Sequence, residues 1–329
     1  MSMARKIASA MIGLILLSAG AAKAAQPGET DFPTRPVTLL VPAAPGGGWD
    51  ADAQFIRAEW SKLLGRNLVI RYDSAGGGLA ALQEVARESG PYTMIVIGSE
   101  FAAINLYSQH SRLTMSKDFY PLLNISTDVM TVFVPVNSPY HGMKDLIEAA
   151  KQKRISIGVA GVGSSNELMA LILRQVTAVG KNLNIVPFNG GSTLRTEIAG
   201  GHLAAGISPS QGLIAFHDEI RPIGYFANQN PVPSFLKTTP VATQLGVKIP
   251  SMLFSSAIFV SSRAERSDPA AVAKLSATLK AALTDPAVES AMGKAGYGAY
   301  SDFIDSSAVL ARLKETEAVL QQYGSLFGQ

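Results

Sequence analysis

The chain has 329 residues, 47% hydrophobic, 16% charged and 7% aromatic, with no cysteine; it can build one large or two medium cores, and it excludes a disulfide framework, a thiolate metal site, a cysteine nucleophile and a lipidated N-terminal cysteine. Its 28 basic and 25 acidic side chains give a formal charge of +3, but Arg5, Lys6 and Lys23 lie within residues 1–24, which hold no acid, so the remainder balances at 25 against 25. A neutral remainder argues against nucleic acid or an anionic membrane as partner, and leaves an anionic ligand to be held by local geometry.

The N-terminus opens on Arg5-Lys6, continues as a run of apolar and small residues over 7–20, and reaches Ala22-Lys23-Ala24, a small-x-small cleavage pattern. The apolar run is short for a membrane span and fits a secretory signal peptide over 1–24, cleaved after Ala24 to release a soluble exported protein.

Beyond Pro33, Val37–Val41 reads as a buried strand, followed by Pro42-Ala43-Ala44-Pro45 and the loop Gly46-Gly47-Gly48-Trp49-Asp50. Over 51–64, Phe55, Ile56, Trp60, Leu63 and Leu64 recur at three- and four-residue spacing, which predicts a helix with Asp50 as N-cap and Gly65 as its stop. Leu68–Tyr72 predicts a second strand, Ala75-Gly76-Gly77-Gly78 a second glycine loop, 79–88 a second helix, and 94–97 a third strand ending at Gly98-Ser99. Strand, loop and helix in this repeated order point to a parallel sheet covered by helices.

The pattern restarts downstream. A β-rich run, 128–136, precedes Asn137-Ser138-Pro139, a natural crossing between domains. Helix 144–153 and strand 155–159 lead into Gly161-Val162-Gly163-Ser164-Ser165-Asn166 and a helix to about 179. Strand 185–188, loop Asn189-Gly190-Gly191-Ser192, helix 193–199 and strand 204–207 follow, the last ending at Ser208-Pro209-Ser210. The run 255–260 resembles 128–136 and fits the return crossing, and helices 270–283, 287–295 and 307–323 complete the chain. The expected organisation is a signal peptide over 1–24, a first domain from 25–136 plus 250–329, and a second over 137–249, with a ligand cleft between the two.

Catalytic motifs find no support. His110, His141, His202 and His217 are scattered without metal-ligand spacing, no G-x-S-x-G elbow occurs, and no carboxylate pair stands out. No catalytic residue, metal or cofactor is expected. The loop Gly46-Gly47-Gly48-Trp49-Asp50 lacks the G-K-[ST] ending of a P-loop, and Gly161-Val162-Gly163 begins a G-x-G-x-x-G pattern that ends in Asn166. A single glycine loop is as readily a structural turn. Four of them between a strand and a helix gather at the carboxyl edge of a sheet, where free N–H groups and positive helix ends favour small anions. One wall of the expected site comprises Gly46, Gly47, Gly48, Trp49, Ala75, Gly76, Gly77 and Ser99; the other comprises Gly163, Ser164, Ser165, Asn166, Asn189, Gly190, Gly191 and Ser192. Trp49 either covers the ligand's carbon skeleton or packs the start of the first helix. Asp50 is read as a cap, because a carboxylate repels an anion. The Ser164 hydroxyl is expected to bond a carboxylate, and a salt bridge from Arg71 or Arg195 is the competing arrangement.

Several segments together resemble the periplasmic substrate-binding proteins of tripartite tricarboxylate transporters, the Bug receptors. Phe32-Pro33-Thr34-Arg35-Pro36-Val37-Thr38-Leu39-Leu40-Val41-Pro42 is similar to their Y-P-x-R-P-I-x-x-I-V-P start, Gly46-Gly47-Gly48-Trp49-Asp50 to their G-G-x-x-D loop, and Ala75-Gly76-Gly77-Gly78 to G-A-G-G. Lys117-Asp118-Phe119-Tyr120-Pro121-Leu122, Gly163-Ser164-Ser165-Asn166, Val186-Pro187-Phe188-Asn189-Gly190-Gly191-Ser192 and Gly200-Gly201-His202-Leu203 follow in the familiar order. Asn189 replaces the usual Lys and Ala204 the usual Asp. The resemblance implies an α/β, two-lobed, type II periplasmic binding fold, two α/β domains joined by two crossing strands. It further implies a small di- or tricarboxylate ligand, such as citrate or a related organic acid, and delivery by a monomeric periplasmic receptor to a two-component membrane permease. An enzyme on the same scaffold, a small-molecule lyase or hydrolase, and a receptor serving a signalling partner are the alternatives. Cleavage after Ala24 predicts that intact-mass analysis of the exported protein finds a chain beginning at Ala25; a membrane-retained product still starting at Met1 refutes the leader.

Overall fold

The computed structural model describes residues 31–328, so the signal peptide expected over 1–24 lies outside the described residues. The strands are β1 Val37–Val41, β2 Leu68–Tyr72, β3 Thr93–Gly98, β4 Phe119–Pro135, β5 Ile155–Ala160, β6 Leu183–Phe188, β7 Ala205–Pro209, β8 Ile220–Tyr225 and β9 Leu253–Ser261. Among them run helices α1 Gly48–Leu64, α2 Leu79–Arg87, α3 Ser99–Ser108, α4 Met115–Asp118, α5 Met143–Gln152, α6 Ser165–Val176, α7 Gly191–Ala199 and α8 Val241–Leu245. Helices α9 Ser262–Ser267, α10 Pro269–Leu283, α11 Pro286–Lys294 and α12 Ser306–Tyr323 come last.

The strands follow the order β2-β1-β3-β9-β4-β7-β5-β6, with β8 paired to β4 off this path. β1 is parallel to β2 and β3, and β5 is parallel to β6 and β7. β4 serves both parallel sets, running antiparallel to β9 over 119–129 and to β7 over 130–133. The register decides where the carboxyl edges of the parallel sets fall. Gly98, the last residue of β3, pairs with Ser256, which pairs with Ser126; Pro209, the last residue of β7, pairs with Met130. The carboxyl ends of both parallel sets therefore converge on residues 126–130 of β4. The result is two α/β lobes joined by β4 and by the return into β9, where the Met252 N–H donates to Phe226 O at 2.6 Å.

Sheet burial on both faces explains the continuous apolar strands. Val37, Leu39 and Val41 pack with Ile56 and Trp60 of α1 and Leu275 of α10, while Leu40 packs with Leu82 of α2 on the other face. Trp60 is fully buried, and its Nε1–H donates to Thr278 Oγ1 at 3.0 Å.

Local structure departs from the sequence reading at several places. α1 starts at Gly48 with Gly47 as N-cap, so Asp50 lies inside the first turn; Gly65 ends the helix in the left-handed region as expected. β4 begins at Phe119 rather than 128, because Pro121, Asn124 and Ser126 sit at its register shifts and mask the strand signal. α3 was not anticipated: Ser99 to Leu106 are buried except for the half-buried Phe101, so no polar face supplies a helical period. β8 was likewise missed.

Asp128 stands where β4 changes partners. It is buried; its Oδ1 accepts the Val129 N–H at 2.6 Å and the Ser210 N–H and O–H at 3.1 and 2.5 Å, and its Oδ2 accepts the Gln211 N–H at 2.9 Å. Burial pushes the carboxyl up to about 6, against the pull of these bonds. An amide cannot accept all four donors, so Asp128→Asn should cost about 1–3 kcal/mol. Thermal melting at pH 7.5 should show a drop of a few degrees, and an unchanged midpoint would dismiss Asp128 as the anchor of this junction.

Candidate functional site

The first-lobe loops begin with Gly46. Its N–H donates to Asp50 Oδ2 at 2.6 Å, and Asp50 Oδ1 also accepts from Tyr72 Oη at 2.8 Å and Gln54 Nε2 at 3.1 Å. Burial pushes the Asp50 carboxyl up, but these three bonds outweigh it and hold it below the ordinary carboxylate range. Asp50 thus braces the loop as an anion. The first intrahelical bond of α1 runs from the Ala51 N–H to Gly47 O, and no side chain caps the helix. The N–H groups of Gly48, Trp49 and Asp50 consequently have no partner within it.

Trp49 is half-buried, edge-on to Phe101 at 5.1 Å between centroids and stacked with Phe254 at 6.4 Å. Its Cζ2 lies 3.3 Å from where a Cβ on Gly98 would stand, so it lies over the N-cap of α3. That fills the packing role for Trp49. Ser99, the first residue of α3, has a buried Oγ with no hydrogen bond. The 75–78 loop joins the opposite end of α3: Gly76 O accepts from Gln109 Nε2 at 2.9 Å, and a Cβ on Gly77 would meet Asn105 Nδ2 at 3.3 Å. By helical rise these contacts are about 9–15 Å along α3 from Ser99. The structure therefore brings Gly46, Gly47, Gly48, Trp49 and Ser99 together, and sets Ala75, Gly76 and Gly77 against the far turns of α3.

In the second lobe, the Gly163 N–H donates to Glu167 Oε2 at 2.6 Å, and Ser164 is the N-cap of α6. The Ser164 hydroxyl accepts the Glu167 N–H at 3.2 Å and donates to Gly161 O at 2.8 Å. It is engaged by the helix, with its proton directed at Gly161 O rather than toward the carboxylate that the sequence reading has it bond. Its neighbours are unengaged: Ser165 Oγ and Asn166 Oδ1 are buried without a partner, while Asn166 Nδ2 donates to Ala160 O at 3.0 Å. A Cβ on Gly163 would stand 2.7 Å from Ser108 Oγ, so the close approach of α3 requires a glycine there. Between Gly161 and Gly163, Val162 is 78% exposed.

The remaining loop is built on Phe188 O, which accepts the N–H groups of both Gly161 and Gly190 at 2.9 Å. Gly190 is the N-cap of α7, with φ 101° and no side-chain cap. Asn189, Gly190 and Ser192 are exposed, and the N–H groups of Gly191, Ser192 and Thr193 precede the bond from the Leu194 N–H to Gly190 O.

The two arginines of the competing arrangement differ. Arg71 is exposed and paired with Glu84. Among the described residues Arg195 has no ion-pair partner, its Nε is buried without a hydrogen bond, and burial pushes its guanidinium below the ordinary arginine value. Gln211, which sequence reasoning missed, has a buried Nε2 with no partner. Its place, two residues beyond β7, is a signal of location only. Among the described residues no group of three or more His, Asp or Glu could hold a metal ion, and no helix is long and apolar enough to cross a membrane.

A family model described as the tripartite tricarboxylate transporter family receptor, TctC, matches residues 53–321. A UPF0065 protein of Pseudomonas sp. is 27% identical over 175 residues, and the chain spans 52% of that relative's length, the match covering 52% of this chain. A Rhodopseudomonas palustris protein solved with adipate superposes with a TM-score of 0.73 at 22% identity, covering 91% of this chain and 99% of that one. MatC of Rhodopseudomonas palustris with bound malate gives 0.68 at 21%, covering 90% and 100%. These likenesses establish the two-lobed type II periplasmic binding fold.

Asp52 of α1 is buried, its Oδ2 accepting the Ser256 O–H at 2.5 Å and its Oδ1 unpaired. Burial pushes its carboxyl from 3.8 to about 7, with the Ser256 bond pulling the other way. Because the folded value lies above the unfolded one, the stability tied to the protonated acid is complete below about pH 4. It is lost as pH rises through about 7, by something on the order of 4 kcal/mol. Asp52→Asn should flatten that slope in urea unfolding measured from pH 4 to 8, and an unaltered slope would assign it to other groups.

Proposed function

The chain belongs to the tripartite tricarboxylate transporter receptor family, and we propose that it is a periplasmic receptor that binds a small carboxylate, a di- or tricarboxylate, between its lobes. It delivers that ligand to a two-component membrane permease and performs no chemistry on it. In this reading the lobes are divided near residues 136 and 250.

One observation carries the reading. Helices α1, α3, α6 and α7 all begin at the sheet edges that converge on residues 126–130, and α1, α3 and α7 begin with no side-chain cap. In this reading the unpaired first-turn N–H groups and the buried, unbonded Ser99 Oγ and Ser165 Oγ supply the donors that a carboxylate would use. A helix terminus contributes about 0.3–2 kcal/mol toward an anion, and a charge-assisted hydrogen bond about 1.5–3 kcal/mol. A few of each are enough to hold a carboxylate from a neutral surface. The adipate and malate held by the two structural neighbours support this ligand class.

A thermal-shift screen with adipate, malate and citrate tests the reading, since ligand at 100 times its Kd stabilises by about 2.7 kcal/mol. Gly47→Ala is the informative variant: Gly47 has φ −85°, and its added Cβ would meet only Ala44 O at 3.8 Å. It should melt like the parent and bind the stabilising carboxylate at least tenfold more weakly by calorimetry. Gly190→Ala is unsuitable, because φ 101° strains any side chain. A parent protein that none of the three carboxylates stabilises would overturn the proposed ligand class.

A further inference from the structure

We infer that Arg195 is the charged contact for the ligand's carboxylate, assisted by the Gln211 side-chain amide, so that one acidic group sits between the N-terminus of α7 and the turn that follows β7. The inference rests on the receptor reading and adds to it the residue that sets the preference for a charged ligand.

Arg195 lies in the second turn of α7, and its side chain folds back toward the helix start, as long helical side chains do. Its Nη1 would lie 2.8 Å from a Cβ on Gly191, the first residue of α7, and nearer still to one on Gly212, so a side chain at either position would displace it. Gly212 belongs to the 3-10 turn Ser210–Phe216, whose first N–H groups are pinned by Asp128. The Phe216 ring centroid is 5.8 Å from the guanidinium carbon. Two glycines thus open the space that the guanidinium occupies, between an uncapped helix end and an anchored turn.

That placement joins two positive features. The N–H groups at the start of α7 point their charge out of the helix, and a cation parked against them is repelled unless an anion shares the space. Among the described residues no side chain supplies it. Glu197 faces His202 at 2.8 Å, Asp218 faces His217 at 3.4 Å, and the Asp128 oxygens are occupied by Val129, Ser210 and Gln211. Among the described residues no carboxylate lies within ion-pair distance of Arg195. On the adjoining turn, Gln211 Nε2 is a second buried donor without an acceptor. A carboxylate brings two acceptor oxygens and one negative charge, which is what the guanidinium fork, the amide and the helix end together lack. The site also lies at the ends of β6 and β7, beside the convergence on β4, where the cleft of the receptor reading would be.

Calorimetric titration of the parent, Arg195→Met and Arg71→Met with adipate, malate, citrate and sulfate tests this, together with the neutral diamide of adipate. Arg195→Met keeps an apolar stem over Phe216; Arg195→Gln replaces it if the methionine variant does not fold. The expected result is a ten- to hundredfold loss of carboxylate affinity in the Arg195 variant, with an unchanged melting temperature before ligand is added. Arg71→Met, which removes an exposed arginine already paired with Glu84, should bind like the parent. The parent's preference for adipate over its diamide should collapse in the Arg195 variant, a change that a purely structural role does not produce. If the parent binds a carboxylate and the Arg195 variant binds it equally well, the inference falls and the receptor reading stands. If the parent binds only sulfate, and does so through Arg195, the carboxylate reading falls and the anion contact stands. A parent that binds none of these anions overturns both.

Discussion

A single strand, β4, has to satisfy two sheets, and the rest of the molecule is arranged around that requirement. Its residues 119–129 pair with β9 and its residues 130–135 with β7 and β8. Because β4 is antiparallel to both β9 and β7, the two parallel sets are forced to end toward the same stretch of it. The glycine loops then converge without any long-range sequence signal directing them. The polar residues within β4 belong to this arrangement. Asn124 Nδ2 donates to Asp302 O at 2.6 Å and to Thr127 Oγ1 at 3.1 Å, and Arg312 of α12 donates to Thr127 Oγ1 at 2.8 Å while pairing with Asp302 at 3.1 Å. Buried polar groups of this kind cost stability if they lose a partner, so they fix which chain segment lies against the crossing. Glu100 adds the same constraint from α3, with both carboxylate oxygens on Ser255 of β9.

Most of the fold was legible because its central strands, such as β1 and β3, are buried on both faces and its outer helices on one. β1 and β2 match the residues read from sequence alone, and helices such as α10 and α12 differ from their expected spans by one residue at the start. Illegible segments share a physical cause. α3 is surrounded by β3, β9, α6 and α12 and has no solvent face to give it a period, and the first half of β4 carries proline and asparagine where bulges accommodate them. Local rules also misplace caps when the backbone offers glycine. Asp50 has the composition of an N-cap, but Gly47 takes the position and Asp50 reaches back from the first turn to the Gly46 N–H. Arg195 was readable only as one of two arginines, since nothing in spacing tells a paired guanidinium from an unpaired one; the three-dimensional neighbourhood separates it from Arg71.

The neutral balance of the chain beyond its first 24 residues limits how an anion can be held. A broad positive field is absent, so selectivity has to come from groups whose charge is local and oriented. Helix ends meet that condition because their partial charges act within about a turn. They discriminate poorly among anions, however, since every acceptor oxygen suits an N–H. In the arrangement proposed, a lone guanidinium with its fixed fork would add the discrimination that the helix ends lack. An apolar component is available from Val162, which stands exposed between two left-handed glycines, and it would suit the carbon chain linking two acidic groups.

The hydrogen bonds within the loops narrow which of their groups remain available. A glycine loop before a helix is commonly pictured as presenting its own N–H groups, but here several of those are consumed. The Gly46 N–H is held by Asp50, the Gly163 N–H by Glu167, and the Gly161 and Gly190 N–H groups by Phe188 O. In two of the loops the acid at the third residue of the helix closes the loop on itself, which fixes its shape and neutralises its leading donor. The unclaimed donors lie one to three residues later, at Gly48 and Trp49, at Ser165 and Asn166, and at Gly191, Ser192 and Thr193. The serine hydroxyls divide in the same way: Ser164 is spent on the cap, while Ser165, one residue on, is buried and unbonded. Glycine in these loops thus supplies the left-handed turns and close approaches that aim the helix starts, and the first turns of the helices carry the free donors. A carboxylate held here would meet helix ends rather than loops.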